Sequence, residues 1–309
     1  MHCKPVFAAP LQGYTTAIWR HFHSQVFGNV SRYFSPFLRI ENGQIRKRDL
    51  NDISSHLSDR QKITPQAIFK DSDELKAIIA TIAQAGYKTA DLNLGCPFPP
   101  QVKKGRGAGL LARPDILEQT ALVIKQFPQI SFSVKMRTGI TDNRQWENIL
   151  PIINDIPLDH VTIHPRTAAM QYGGVPDIET AAEMAQKIKH PTVYNGDINT
   201  PVQYRQIIEK IPSIAAVMIG RGLLSQPWLA AEIATGTEYT QSIRLEKLRL
   251  FHSLIFAQTE KQYINPANIL DKIKPFWDYI TPQTVDRKKL KAIKKAATLE
   301  KYLQIIQTI

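Results

Sequence analysis

The sequence predicts an α/β fold, a (β/α)8 TIM barrel followed by a small C-terminal helical domain. Three observations carry this. Eight short apolar, β-branched runs recur through the first two-thirds of the chain, most of them bounded by Gly, Pro or Asn, as buried parallel strands are. Helical patterns lie between most of these runs. After about residue 235 the strand signals stop and helical patterns alone remain. Alternating strands and helices allow a barrel or a doubly wound sheet. The doubly wound sheet needs a glycine fingerprint after its first strand, and here that turn reads APLQGY, which is no GxGxxG.

The expected strands are 6–8, 30–34, 67–69, 89–94, 131–135, 160–163, 192–194 and 216–219. A helix over 72–85 opens with Asp73 and Glu74 in its first turn and closes near Gly86. A helix over 114–126 begins with Pro114 at a first helical position, and 178–189 and 201–211 follow the same habit. The polar stretch 39–62 reads as an extended connection between the second and third strands, with some helix. The tail reads as helices over 244–262, 267–279 and 287–306. The expected domains are therefore 1–235 and 236–309.

Two cysteines, Cys3 and Cys96, cannot build a disulfide framework, so a reducing, cytoplasmic setting is expected. Paired CxxC spacing is absent, and no metal is expected. The most apolar stretch, 211–219, is interrupted at Arg221 well short of the ~20 residues that cross a bilayer. No membrane partner is expected. The first residues lead straight into Pro and Gly, which suits a strand and not a signal peptide. The net charge is +12, from 39 Lys+Arg against 27 Asp+Glu. Residues 236–309 carry 13 Lys/Arg and 7 Asp/Glu, so this quarter of the chain holds half of that excess. Arg287, Lys288, Lys289, Lys291, Lys294 and Lys295 cluster within it. The cluster suits a polyanionic partner or a solvated helical face.

In such barrels the active site lies at the C-terminal ends of the strands, and polar residues are dense there. The fourth strand runs into NLGCPFPPQVKKGRGAG, which supplies Asn93, Cys96, Lys103, Lys104 and Arg106. Cys96 is either a proton donor or nucleophile, or a small buried hydrophobe. The fifth strand ends near Lys135, with Arg137 beyond it. A lysine there is costly to bury without an anion, so it faces a ligand or forms a structural ion pair. The sixth strand brings His164 and Arg166 to the same level. Asn195, Gly196 and Asp197 follow the seventh strand, and Gly220 and Arg221 follow the eighth. Glycines there let backbone N–H groups approach a phosphate, and an arginine adds a charge-assisted bond. Gln66 and the Pro10–Leu11–Gln12 turn complete the floor. The combination suits a phosphate-bearing cofactor with a polar ring system, and a flavin mononucleotide (FMN) suits it better than a sugar phosphate.

These motifs resemble the tRNA-dihydrouridine synthases. The resemblance is carried by APLQG (9–13), NLGCP (93–97) with KKGRGAGLL (103–111), SVKMRTG (133–139), IHPRT (163–167), VYNGDI (193–198) and VMIGRGLLSQPWL (217–229). It implies an FMN-dependent oxidoreductase that reduces the C5–C6 double bond of uridine in tRNA, with NADPH or NADH as reductant. Hydride would pass to C6, and Cys96 would deliver a proton to C5. FMN would be held by Pro10, Leu11, Gln12, Gln66, Lys135, His164, Asn195, Gly196, Asp197, Gly220 and Arg221. Asn93, Lys103, Lys104, Arg106, Arg137, Arg166, Lys288, Lys289 and Lys291 would meet the tRNA. The helical tail fits the family's tRNA-binding domain, and a monomer without an obligate protein partner is expected. The chain departs from common family residues at Leu11, Gln12 and Pro165. The competing readings are an FMN barrel reducing a small molecule of enoate or dihydroorotate type, and an RNA-binding factor with a vestigial flavin site.

Overall fold

The computed structural model describes residues 3–309. Its main sheet is wholly parallel and closes as a barrel: β1 (Val6–Ala8), β2 (Arg32–Phe34), β3, β4 (Thr89–Leu94), β5 (Ser131–Gly139), β6 (His160–Thr167), β7 (Thr192–Tyr194) and β8 (Ala216–Ile219). Strand β3 is split in two. Ile63–Thr64 pairs with β2, and Gln66–Ala67 pairs with β4. Pro65 separates the pieces. It has no N–H to give to a ladder, while its carbonyl accepts from Asp91 N at 2.9 Å. The third strand therefore lies earlier than the expected 67–69, because residues 63–67 hold the pairing positions.

Two further strands outrun their expected ends. β5 continues to Gly139 and β6 to Thr167, so Arg137, His164 and Arg166 lie within strands and not beyond them, and Lys135 lies mid-strand. Side chains alternate across a strand. Ser133, Lys135 and Arg137 therefore share one face of β5, and Ser133 and Arg137 on that face bond to groups of β4 and its loop. Val134 and Met136 alternate with them and join the main hydrophobic core. Below the polar layer, Phe34, Val193, Ala216 and Met218 form a second buried cluster with Phe7 and Leu11 against it. The His160 ring lies 5.6 Å from Phe7 and 6.0 Å from Phe34.

Helices pack outside the barrel with side-chain caps where the sequence offers them. Asp71 caps Ser72–Gln84, Asp177 caps Ile178–Lys187 and Thr200 caps Pro201–Lys210. The 39–62 connection contains a short hairpin, Ile40–Glu41 with Gln44–Ile45, and the helix Lys47–Ser54.

The tail docks through its first helix, Gln241–Gln262, on the barrel's first helix, Ala17–Val26. Phe251 meets Trp19 at 6.0 Å and Phe27 at 5.4 Å, edge to face. Buried Glu232 binds Arg244 and the Tyr239 N–H, tying the last barrel helix to the tail. The hydrophobic core runs without a break from barrel to tail. Pro266–Ile273 continues as the 3-10 turn Lys274–Trp277. The single helix expected over 287–306 is two, Arg287–Lys295 and Leu299–Ile306. The break falls where Thr298 turns extended and accepts from Lys301 N, capping the second helix. Inside the tail, Tyr302 Oη is paired with His252 Nε2 at 2.6 Å and receives the Trp277 indole N–H at 2.8 Å.

Candidate active site

A chain of buried polar groups positions Cys96. Asp91, wholly buried in β4, accepts from Ser133 Oγ at 2.6 Å and from Gln66 Nε2 at 2.7 Å. Burial raises the Asp91 pKa, and these two hydrogen bonds oppose the rise. Gln66 Oε1 in turn accepts from Asn93 Nδ2 at 2.7 Å. Asn93 Oδ1 then receives the backbone N–H groups of Gly95 at 3.0 Å and Cys96 at 2.8 Å. A carboxylate in the barrel thus fixes an amide, which fixes a second amide, which fixes the cysteine turn. Sequence reasoning missed Asp91 and Ser133, although a lone Asp inside an apolar strand was the available signal.

From the other side Gly107 packs on the turn. Its φ is +58°, and a Cβ added there would lie 2.7 Å from Cys96 Cβ. Only glycine allows that approach. The thiol itself is half-buried. Burial pushes its pKa up, while the backbone of Phe98 and the charges of Arg137 and Lys135 pull the other way. The thiol is protonated at neutral pH.

Lys135 makes no hydrogen bond or ion pair among the described residues. Desolvation, helped by the Arg137 charge, lowers its pKa to about 7. His164 is buried, and desolvation first, then the surrounding cations, hold its pKa well below the ordinary value, so the imidazole is neutral. Arg166 Nη1 stands 3.3 Å from His164 Nε2. A guanidinium can only donate, which makes Nε2 the acceptor and puts the ring proton on Nδ1.

Three arginines expected to meet the substrate are bonded within the protein. Arg106 is 6% exposed and forms a forked pair with buried Glu74, plus a bond to the Ile40 carbonyl at 3.0 Å. Arg137 is 1% exposed and donates to the carbonyls of Gly95, Thr167 and Gln171 at 2.7–2.9 Å, which straps the Cys96 turn to the loop after β6. Arg166, also 1% exposed, binds the carbonyls of Gly173 and Gly174 and the Asp197 carboxylate. Asp197 also accepts from Arg221 Nη2 at 2.7 Å. Burial opposes ionisation of Asp197, but its bonds to Arg166 and Arg221 outweigh that and hold its pKa low. Tyr172, which nothing in the sequence singled out, lies between Arg137 and Arg221, whose guanidinium carbons are 5.6 and 5.3 Å from its ring.

The remaining expected positions divide. Asn195 Nδ2 donates to the Met218 carbonyl at 2.8 Å, joining β7 to β8. A Cβ on Gly196 would strike the Tyr194 hydroxyl at 2.2 Å, and one on Gly220 would meet Leu11 at 3.3 Å. Pro10, Leu11 and Gln12 are half-buried at the end of β1. With its amide oxygen turned toward them, Gln12 accepts from Arg46 at 2.8 Å and Arg48 at 3.1 Å. Lys103, Lys104, Lys288 and Lys291 are exposed, whereas Lys289 bonds to the Thr308 carbonyl. A cleft of about 670 Å³ opens between the β1 turn, the helix Lys47–Ser54 and the tail, reaching Gln12, Tyr14, Arg48, Lys272 and Tyr279. Cys96, Lys135 and His164 do not line it.

Among the described residues, no helix is long and apolar enough to cross a membrane. Comparison with known proteins agrees with this architecture. The family model described as dihydrouridine synthase (Dus) matches residues 7–307. The tRNA-dihydrouridine synthase B of Escherichia coli K12 is 26% identical over 230 residues, covering 74% of this chain and 70% of that protein. Its namesake from Pectobacterium carotovorum is 30% identical over 164 residues, 53% of this chain and 51% of that one. Among solved structures, morphinone reductase superposes with a TM-score of 0.53 at 12% identity, over 78% of this chain and 88% of that chain. A variant of NCR from Zymomonas mobilis does so at 0.51 and 14%, over 76% and 88%. At these identities the two structures speak for the barrel alone.

Proposed function

The chain belongs to the dihydrouridine synthase (Dus) family, and from that premise we propose that it reduces the C5–C6 bond of a uridine in tRNA, with Cys96 as the acid. The observation that carries the reading is the Cys96 turn. A protonated thiol is held by the Asp91–Gln66–Asn93 chain on one side and by Gly107 on the other, beside an unpaired lysine.

The residues present suit FMN. Lys135 is a recessed amine with no hydrogen-bond or ion-pair partner among the described residues, and an electron-rich ring edge would favour its protonated form. Neutral His164 and the backbone at Gly196 and Gly220 complete a polar cradle, with Arg221 at its edge. Gln66, Asn195 and Asp197 act mainly by holding their neighbours, since their side chains are bonded to protein. The chemistry such a group supplies when bound is hydride delivery to uridine C6, renewed by NADPH or NADH. Addition at C6 leaves an electron pair at C5, conjugated with the C4 carbonyl. Cys96 Sγ gives its proton to C5, and Lys135 and Arg137 favour the thiolate that remains.

The tRNA would lie across the basic tail and the cleft, with the target base extruded toward the barrel. Neutralising Lys288, Lys291, Lys294 and Lys295 together is expected to weaken tRNA binding and to lower its log–log salt slope by about 2 or more. Affinity measured from low to high salt checks this, and an unchanged slope places the RNA surface elsewhere.

Lys135 carries a second expectation. Its folded pKa of about 7 lies below the unfolded value near 10.4. The unfolded chain thus binds more protons between those values, so cofactor-free protein gains stability from this group as pH rises from about 7 to 10. Lys135→Met is expected to raise the thermal midpoint of cofactor-free protein at pH 7 and to weaken FMN uptake at least about ten-fold. A variant that melts lower yet binds FMN normally would make Lys135 a structural residue.

The whole reading is tested by nucleoside mass spectrometry of tRNA from cells lacking the gene, beside purified protein acting on unmodified tRNA. Loss of dihydrouridine at one position in the first, and its formation in the second, is the expected result. Failure of the purified protein to act on any tRNA overturns it.

A further inference from the structure

Phe98 stands two residues beyond Cys96 and is 56% exposed. The backbone beneath it is stiff. Pro97, Pro99 and Pro100 flank it, each with a fixed φ. The Phe98 carbonyl accepts from Gln101 N at 2.8 Å and Val102 N at 3.1 Å, which starts the short helix Pro99–Lys103. Gly109 holds that helix down, since a Cβ there would lie 2.6 Å from the Val102 carbonyl oxygen. Phe98 enters no aromatic or cation–π pair among the described residues, whereas Tyr172, in the loop after β6, is flanked by two arginines. Five and six residues further on, Lys103 and Lys104 are exposed and have no carboxylate partner among the described residues. A rigid ring held in water with cations beside it is the arrangement that binds single-stranded nucleic acid, in which bases stack and phosphates pair with lysines.

We infer that Phe98 is a stacking platform for the nucleobase next to the target uridine, with Lys103 and Lys104 taking the adjoining phosphate. The inference rests on the tRNA reading above and adds a positioning residue to it. Without that stack the uridine would be presented to Cys96 by its own contacts alone.

Wild type, Phe98→Ala, Phe98→Leu and Phe98→Trp are compared on unmodified transcribed tRNA, with FMN content and NADPH-driven flavin reduction measured in each. Both Phe98→Ala and Phe98→Leu are expected to lose about ten-fold in kcat/KM for tRNA, the lower end of the range for one stacked base. Phe98→Trp is expected to stay close to wild type, and flavin content and reduction to stay constant throughout. Wild-type behaviour of Phe98→Leu would make the side chain mere apolar cover, and wild-type behaviour of Phe98→Ala would give it no role. Either result overturns the inference and leaves the tRNA reading intact. A wild-type protein that forms no dihydrouridine overturns both, and that control tells the two failures apart.

Discussion

Cys96→Ala is expected to lower dihydrouridine formation by about 10²–10⁴-fold, the usual contribution of a positioned general acid. Flavin content and flavin reduction by NADPH should be unaffected, because the thiol is not among the proposed flavin contacts. The backbone bonds that place residue 96 come from Asn93 and survive the change. Cys96→Ser should be nearly as slow, since a hydroxyl is a far weaker acid than a thiol. The raised thiol pKa adds a pH signature. Turnover should fall as pH passes above that pKa, and the alanine variant should lose this limb. Single-turnover assays on unmodified tRNA separate chemistry from binding. Normal turnover of Cys96→Ala would remove the thiol from its role.

Glu74→Ala should destabilise the protein by about 3–5 kcal/mol, the cost of leaving one partner of a buried ion pair alone. Glu74 is 8% exposed and Arg106 6%, and two guanidinium N–H groups reach the carboxylate. The site is consequential because Arg106 opens the turn whose next residue, Gly107, packs on Cys96. An uncompensated arginine there would be driven toward water and would take the turn with it, so activity should fall further than stability alone explains. Replacing both partners with Leu and Met should recover much of the midpoint in urea. A single-variant loss below about 1 kcal/mol would mean that the pair is solvated in solution.

The barrel was legible because its buried strands are apolar runs punctuated by Gly and Pro. The ends of β5 and β6 were not. Lys135 read as the last residue of its strand, and Arg137, His164 and Arg166 as residues past a strand end, since polar residues inside a strand contradict burial. They belong to the polar upper layer of the barrel, where an inward side chain faces other polar groups or a ligand. The bonds that Arg106, Arg137 and Arg166 make within the protein were not legible for a related reason. A guanidinium in a loop looks like a hand for phosphate, and what claims Arg137 is three carbonyls, at 95, 167 and 171, that the chain brings together only in space. The kink at 296–298 was more accessible, because Thr298 before an acidic turn is a helix start inside an otherwise unbroken pattern.

The division of β3 at Pro65 bears on how the barrel breathes. Each half of that strand is two residues long, the first laddered to β2 and the second to β4 with one further bridge to Leu38, so the cylinder has a seam there held by short ladders. Local opening follows such weak units, and amide hydrogen exchange measures its free energy. Gln66 sits in the seam and holds Asn93. Every opening there releases the support of the Cys96 turn. Exchange at the 64 and 66 amides should therefore run ahead of exchange in β4 and β5, and a ligand that clamps the mouth should slow the seam first.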